Sequence, residues 1–231
     1  MKLNKTALML PLVFFTGASS MLAETASERL KESATVLKEI FNAPDGGIPR
    51  DLLEDAHCVV VVPGVKQAAF VVGGKYGRGF AVCRRDTRAG WGAPASVRVE
   101  GGSVGFQIGA SETDVVLLIM NRRGMDKLLE SKFTLGGAAE VAAGPVGRSS
   151  TAQTDAKMTA KILSYSRARG VFAGVSLQGS TLREDLDENK ELYGRRLRNR
   201  DIVMKGTKAP PSASELITVL NKHSGRESSD L

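Results

Sequence analysis

Residues Tyr165–Ser180 limit the fold more than any other stretch, because two runs of alternating character meet there at Arg169-Gly170. Leu163, Tyr165 and Arg167 share one side of the first run, while Val171, Ala173, Val175 and Leu177 line a single apolar face of the second. This is the pattern of a β-hairpin, in which Gly170 provides a residue tolerant of the positive φ of a tight turn. The small Ala173 and Gly174 leave room for another backbone or a helix to come close. Such a hairpin belongs in a core sheet.

Other β signals precede it. Val-rich or alternating runs at 58–62, 66–72, 79–84, 95–99, 103–109 and 115–120 read as short strands bounded by Pro63-Gly64, a turn at Gly73–Arg78 and further glycines. The segment 136–143 fits either a buried strand or a loop, and 155–161 either helix or strand. Helical spacing is confined to the ends and one short insert. Thr25-Ala26-Ser27-Glu28 has the form of a capping box, followed by Ala26, Leu30, Ala34, Leu37 and Phe41 along one face. Shorter helices are expected over 49–56 and 125–132. Thr181-Leu182-Arg183-Glu184 repeats the capping pattern ahead of Leu186, Tyr193 and Leu197, and Ser212–Glu215 precedes a last helix with Leu216, Ile217 and Leu220. Asn189 falls on the apolar stripe of its helix, so it is expected to tie that helix to a loop by hydrogen bonds. Strands in the middle and helices at both ends predict an α+β fold with one many-stranded, mainly antiparallel, curved or barrel-like sheet covered by N- and C-terminal helices.

Several motifs in order resemble the SYLF domain family: Trp91-Gly92-Ala93-Pro94-Ala95, Gly105-Phe106-Gln107-Ile108-Gly109 with Thr113-Asp114, Leu135-Gly136-Gly137, Ala143–Arg148, the hairpin, then Asn189 and Tyr193-Gly194. The resemblance runs from about residue 30 to 205. It implies a single domain that binds lipid, and actin binding in eukaryotic members. Gln178 stands where the family pattern has an acidic residue, so no role resting on a carboxylate carries over to that position. The family also implies an N-terminal amphipathic helix that inserts into lipid. Here Arg29, Lys31 and Lys38 are outnumbered by Glu24, Glu28, Glu32 and Glu39, which does not favour an anionic surface.

The chain begins with Lys2 and Lys5, an apolar stretch from Thr6 to Thr16 and mostly small residues from Ala18 to Ala23, the layout of a secretory signal peptide. The expected organisation is a signal peptide over 1–23, the domain over 24–205, and a linker, short helix and flexible tail over 206–231. The apolar run, with Pro11 inside it, is short of the ~20 residues of a membrane-spanning helix. A periplasmic or secreted protein, peripheral to a membrane, is expected.

Loss of Lys2 and Lys5 takes the formal charge from +7 to +5, since no acidic residue precedes Glu24. The cations recur in groups: Lys75 and Arg78; Arg84, Arg85 and Arg88; Arg122 and Arg123; Arg167 and Arg169; and Arg195, Arg196, Arg198 and Arg200. Such groups suit phosphate-bearing partners. Anionic phospholipid is the expected partner, held at Lys75, Arg78, Arg84, Arg85, Arg148, Arg167 and Arg169, with Lys31 and Lys38 contributing less. Nucleic acid is not expected, because aromatic residues are few, and actin is not expected to meet an exported chain. A structural or protein-interaction role in the cell envelope is the alternative.

Catalysis has weaker support. Gly101-Gly102-Ser103-Val104-Gly105 matches the hydrolase elbow G-x-S-x-G, but alternating β residues follow Ser103 where a helix is required, and a base is scarce, since the only histidines are His57, beside the first strand, and His223, in the last helix. Gly144–Ser150 lacks the lysine of a phosphate-binding loop. The two histidines and two cysteines show no metal-ligand spacing, so neither metal nor cofactor is expected. Export favours a disulfide between Cys58 and Cys83. In a plain meander a middle strand separates them by about 9.5 Å, beyond the ~7 Å limit for a bridge. Either they stay reduced or the strand carrying Cys83 lies beside the first.

Overall fold

The computed structural model describes residues 24–43, 47–84, 90–136, 141–144, 161–168, 171–172, 177 and 179–224, with backbone alone at 69–72, 103–109 and 171–172. The fold is α+β, built on a curled half-barrel sheet. Two long strands dominate it, β1 (Cys58–Cys83) and β2 (Ala95–Ile119), paired antiparallel from Cys58↔Ile119 to Ala81↔Ala95. Each replaces three short strands expected from the sequence. Neither Pro63-Gly64 nor the glycines at 73–79 end β1: a register shift between Val62 and Val65 takes up the first, a second shift falls between Ala69 and Val71, and residues 73–79 stay in unbroken register with β2. The expected turn at 73–78 is therefore paired strand, with Gly73 opposite Ser103 and Arg78 opposite Arg98.

β1 curls until its ends meet. Arg84 N donates to His57 O at 2.9 Å, and a β-carbon placed on Gly79 would stand 2.0 Å from Val61 O, so only glycine permits that approach. Cys58 and Cys83 are disulfide-bonded with Cα atoms 4.0 Å apart. No middle strand intervenes, because the first and last parts of one curled strand are themselves the neighbours.

The rest of the sheet is added on both sides of β2. β5 (Ile162–Ala168) pairs with its C-terminal half and β7 (Thr181–Glu184) with its N-terminal part; β3 (Lys132–Thr134) extends the sheet beyond β7. β4 (Val141–Ala143) pairs parallel with β5, while β6 (Val171–Phe172) closes the predicted hairpin on it through Arg167↔Phe172 and Ala168↔Val171. The hairpin turn, residues 173–176 and residues 155–160 lie outside the described residues.

Alternation along the strands feeds two cores. Val59, Val61, Phe80, Val82, Val116 and Leu118 pack under α1 (Ala26–Phe41), α2 (Arg50–Asp55) and the C-terminal α6 (Ser214–Ser224), while Val60, Val62, Ala81, Val115, Leu117 and Ile119 face Leu182 and α3 (Arg122–Leu128). A strand buried on both faces reads as the unbroken run Val59–Val62. The Thr25–Glu28 capping box forms, and α1 buries Leu30, Ala34, Leu37 and Ile40 completely. Asn121, unforeseen in the sequence, caps α3 by accepting from Gly124 N.

The second capping pattern misled. Thr181–Glu184 is β7, and the helix behind it, α4 (Leu186–Tyr193), is capped by Asp185. Pairing with both β2 and β3 satisfies the backbone of 181–184 better than a free helix end would. α5 (Asn199–Met204) follows, then a 3-10 turn at Pro211–Ala213. α6 is integral, with Leu216 and Leu220 fully buried in the core beneath α1. No helix among the described residues is long and apolar enough to cross a membrane.

Candidate functional site

The curl of β1 brings segments distant in sequence around a groove of about 1110 Å³. Lys66 comes from the first part of β1, Lys75 and Tyr76 from a later part, Glu112 and Asp114 from β2, and Arg167 from the end of β5. Gly64, at φ +51°, shapes one corner. Its N–H donates to Asp114 Oδ1 at 2.9 Å, and a β-carbon there would stand 2.7 Å from Glu112 Oε1, so both carboxylates gather at this glycine. Lys66 is directly opposite Glu112 in register, yet neither forms an ion pair or hydrogen bond with a described residue. Arg167 Nη1 stands 2.7 Å from Glu39 Oε2 of α1. Tyr76, at 47% exposure, is the one large exposed hydrophobic among the described residues and forms part of the lining.

Burial in the groove opposes charge of either sign. It pushes the Asp114 carboxyl above its ordinary range, against the lowering effect of the Gly64 N–H, and pulls the Lys75 ammonium below its own. Both groups therefore gain from a partner of opposite charge.

The remaining predicted cations are placed differently. Arg78 Nε is 3.1 Å from Asp185 Oδ2, whose side chain is 1% exposed; desolvation opposes the guanidinium charge, but Asp185, Tyr76 and Glu188 raise its pKa overall. Arg84 lies 4.3 Å over the Trp91 ring and donates to the carbonyls of Ala56, Leu53 and Ser224, so it joins α2, β1 and α6. Lys38 Nζ is 2.6 Å from Glu215 Oε1 of α6, and Lys31 is exposed on α1. Arg85, Arg148 and Arg169 lie outside the described residues. The structure thus brings Lys75 and Arg167 to one groove, and it does not bring Arg78 or Arg84 there.

Lys66, Glu112 and the side-chain role of Asp114 were missed. No local pattern marks them, because only the curl of β1 joins residues 64–68 to 74–76. Ser103 belongs to β2, paired with Gly73, and β2 continues to Ile119, so the strand-to-helix turn of a nucleophile elbow is absent there.

Beside the groove's frame lies a buried polar clamp. Asn189, fully buried, accepts from Ser96 N at 2.8 Å and donates to Leu197 O and Asn199 Oδ1, both at 2.8 Å, while Asn199 Nδ2 donates to Ser96 O at 3.0 Å. This is the helix-to-loop tie expected of Asn189. Arg29 of α1 pairs with buried Glu188 of α4 and, at 3.0 Å, with Glu24.

Residues 100–223, more than half of the chain, match the family model described as Ysc84, Las17-binding protein actin regulator. The chain belongs to the Ysc84/SYLF family. It is 32% identical over 197 residues to the human SH3 domain-containing YSC84-like protein 1, covering 83% of this chain and 57% of that protein. Over 213 residues it is 30% identical to Protein YSC84 of Saccharomyces cerevisiae, covering 88% of this chain and 45% of the relative. The same identity and length of match hold for LAS seventeen-binding protein 3 of that species, covering 88% and 46%. The chain thus spans about half the length of the curated relatives it matches. Their names describe an SH3 domain-containing protein and a binding protein.

Proposed function

We propose that this Ysc84/SYLF protein is a non-enzymatic module that binds phospholipid head groups at a membrane surface, exported by residues 1–23. The observation that carries the reading is the groove, where Lys66, Lys75 and Arg167 converge beside the exposed Tyr76. Lysine ammonium groups suit phosphate oxygens as hydrogen-bond donors. A tyrosine with an apolar ring and a polar tip suits the interface between head groups and chains. The net charge of +5 after loss of the leader concentrates the protein on anionic surfaces, and the Cys58–Cys83 disulfide favours an oxidising compartment. In this reading α1 is a cover for the sheet, since its apolar face is already buried.

The test is flotation of the mature chain with vesicles of phosphatidylcholine and phosphatidylglycerol, comparing wild type with Lys66→Gln/Lys75→Gln. Binding by wild type that falls in the double variant supports the groove. Equal binding by both sinks it. A second reading, a protein-interaction module, is favoured by the family's description as a Las17-binding protein and actin regulator and by the relative named LAS seventeen-binding protein 3. It predicts capture of such a partner in the absence of lipid and no vesicle binding at all.

A further inference from the structure

The groove is polarised, and that feature narrows the ligand. Glu112 and Asp114 gather at Gly64, with Glu39 close enough to act on Asp114 and to pair with Arg167, while Lys66 and Lys75 supply positive charge from β1. Among the described residues, three cations against three carboxylates leave no net excess of positive charge. A purely anionic head group would meet Glu112 and Asp114 as unfavourable neighbours, and a simple cation would meet the two lysines. A ligand with both charges satisfies both corners.

We propose that the groove takes a head group bearing both a phosphate and a primary ammonium, the chemistry of phosphoethanolamine, with Lys66 and Lys75 on the phosphate and Glu112 and Asp114 on the ammonium. The proposal rests on the phospholipid-binding reading above and names the head group for it. A primary ammonium fits better than a quaternary one because carboxylates accept its N–H hydrogen bonds. A quaternary group lacks those hydrogens and is held by cages of aromatic rings, whereas Tyr76 is the one aromatic residue among the described residues that line this groove. The opposed effects of burial on Asp114 and Lys75 point the same way, since each recovers its favoured charge against the opposite charge of such a ligand.

The deciding experiment compares binding of the mature chain to vesicles of phosphatidylcholine alone and of phosphatidylcholine mixed equally with phosphatidylethanolamine, which carry the same net charge. The mixed vesicles are expected to bind about tenfold tighter, the worth of one charge-assisted hydrogen bond. Glu112→Gln is expected to remove that preference, so that the variant binds the mixed vesicles no tighter than those of phosphatidylcholine alone. Glu112 is exposed, and a thermal melt checks that the variant is folded. Equal affinity for the two vesicles, or a preference that survives Glu112→Gln, overturns the proposal while leaving lipid binding intact. If no vesicle binds, the membrane reading itself fails. Titration with soluble O-phosphoethanolamine and phosphocholine, followed by NMR, then decides the chemistry: binding of the first alone upholds the head-group assignment, and any other result overturns it.

Discussion

Lys75 and Arg78 stand on one strand three residues apart, yet they belong to different regions of the molecule. Lys75 lines the groove, while Arg78 is held by Asp185 at 3.1 Å, next to the buried Asn189 clamp. The groove keeps Lys66 and Glu112 without ion pairs among the described residues; the clamp matches Arg29 with Glu188 and gives every amide bond of Asn189 a partner. Residues of like charge thus do opposite work. A charge facing solvent in an open groove can be handed to a ligand, whereas one beside a carboxylate at 1–3% exposure is needed for folding, because removing either partner leaves the other charged and dry.

The sharpest way to break this distinction is Arg29→Met, which strands Glu188. It is expected to cost about 3–5 kcal/mol at neutral pH in a denaturant melt. Burial already raises the Glu188 pKa, so its proton is held more tightly folded than unfolded, and stability falls as pH rises from about 4.5 through the folded value. In Arg29→Met that pKa rises further. Part of the loss should therefore return as the pH is lowered toward 4.5, and a loss independent of pH would contradict the account.

Asn189→Ala comes next at about 3 kcal/mol, since Ser96 N, Leu197 O and Asn199 Oδ1 all lose their partner. The folded protein at low temperature should still bind vesicles as wild type does. Replacing Cys58 and Cys83 with Ser should cost a comparable ~3 kcal/mol, given the 25-residue separation they close, again without altering head-group binding. If either change removes vesicle binding from folded protein, groove and frame are not separable.

On the other side of the comparison, Lys66→Gln/Lys75→Gln should leave the melting temperature within a degree or so and weaken vesicle binding by about 2 kcal/mol, roughly 30-fold. Raising the salt should shrink that difference, as exposed charges are screened beyond about one Debye length. The smallest effect is expected from Lys31→Glu/Lys38→Glu. Lys31 is exposed, and the Lys38–Glu215 pair has both side chains nearly half exposed, so stability should change by less than about 1 kcal/mol. Vesicle affinity should change severalfold at most. Abolished binding would mean that α1, not the groove, meets the membrane.

Much of the frame could be read directly from residue order. The capping box at Thr25, the hairpin pairing Arg167 with Phe172, the tie made by Asn189 and the α+β arrangement all rest on local chemistry or on short periodicity. Thr181–Glu184 shows where local chemistry loses: the same four residues suit a helix start, but two neighbouring strands offer their backbone more hydrogen bonds. Spacing alone also offered no way to rank the cation groups, because a guanidinium engaged by Asp185 or by the carbonyls around Trp91 reads the same as a free one.

The sequence by itself determined the alternation that makes β1 and β2 strands, the apolar stripes of α1 and α6, and the glycines at which the long ribbon can bend. Only the tertiary structure decided how far it bends. Once β1 curls until Gly79 lies against Val61 and Cys83 reaches Cys58, residues 64–68 and 74–76 share one groove with Asp114 and Arg167. Curvature accumulates from many small twists and two register shifts along 26 residues. No short motif encodes that sum, so the groove it encloses was hidden until the strand was followed from end to end.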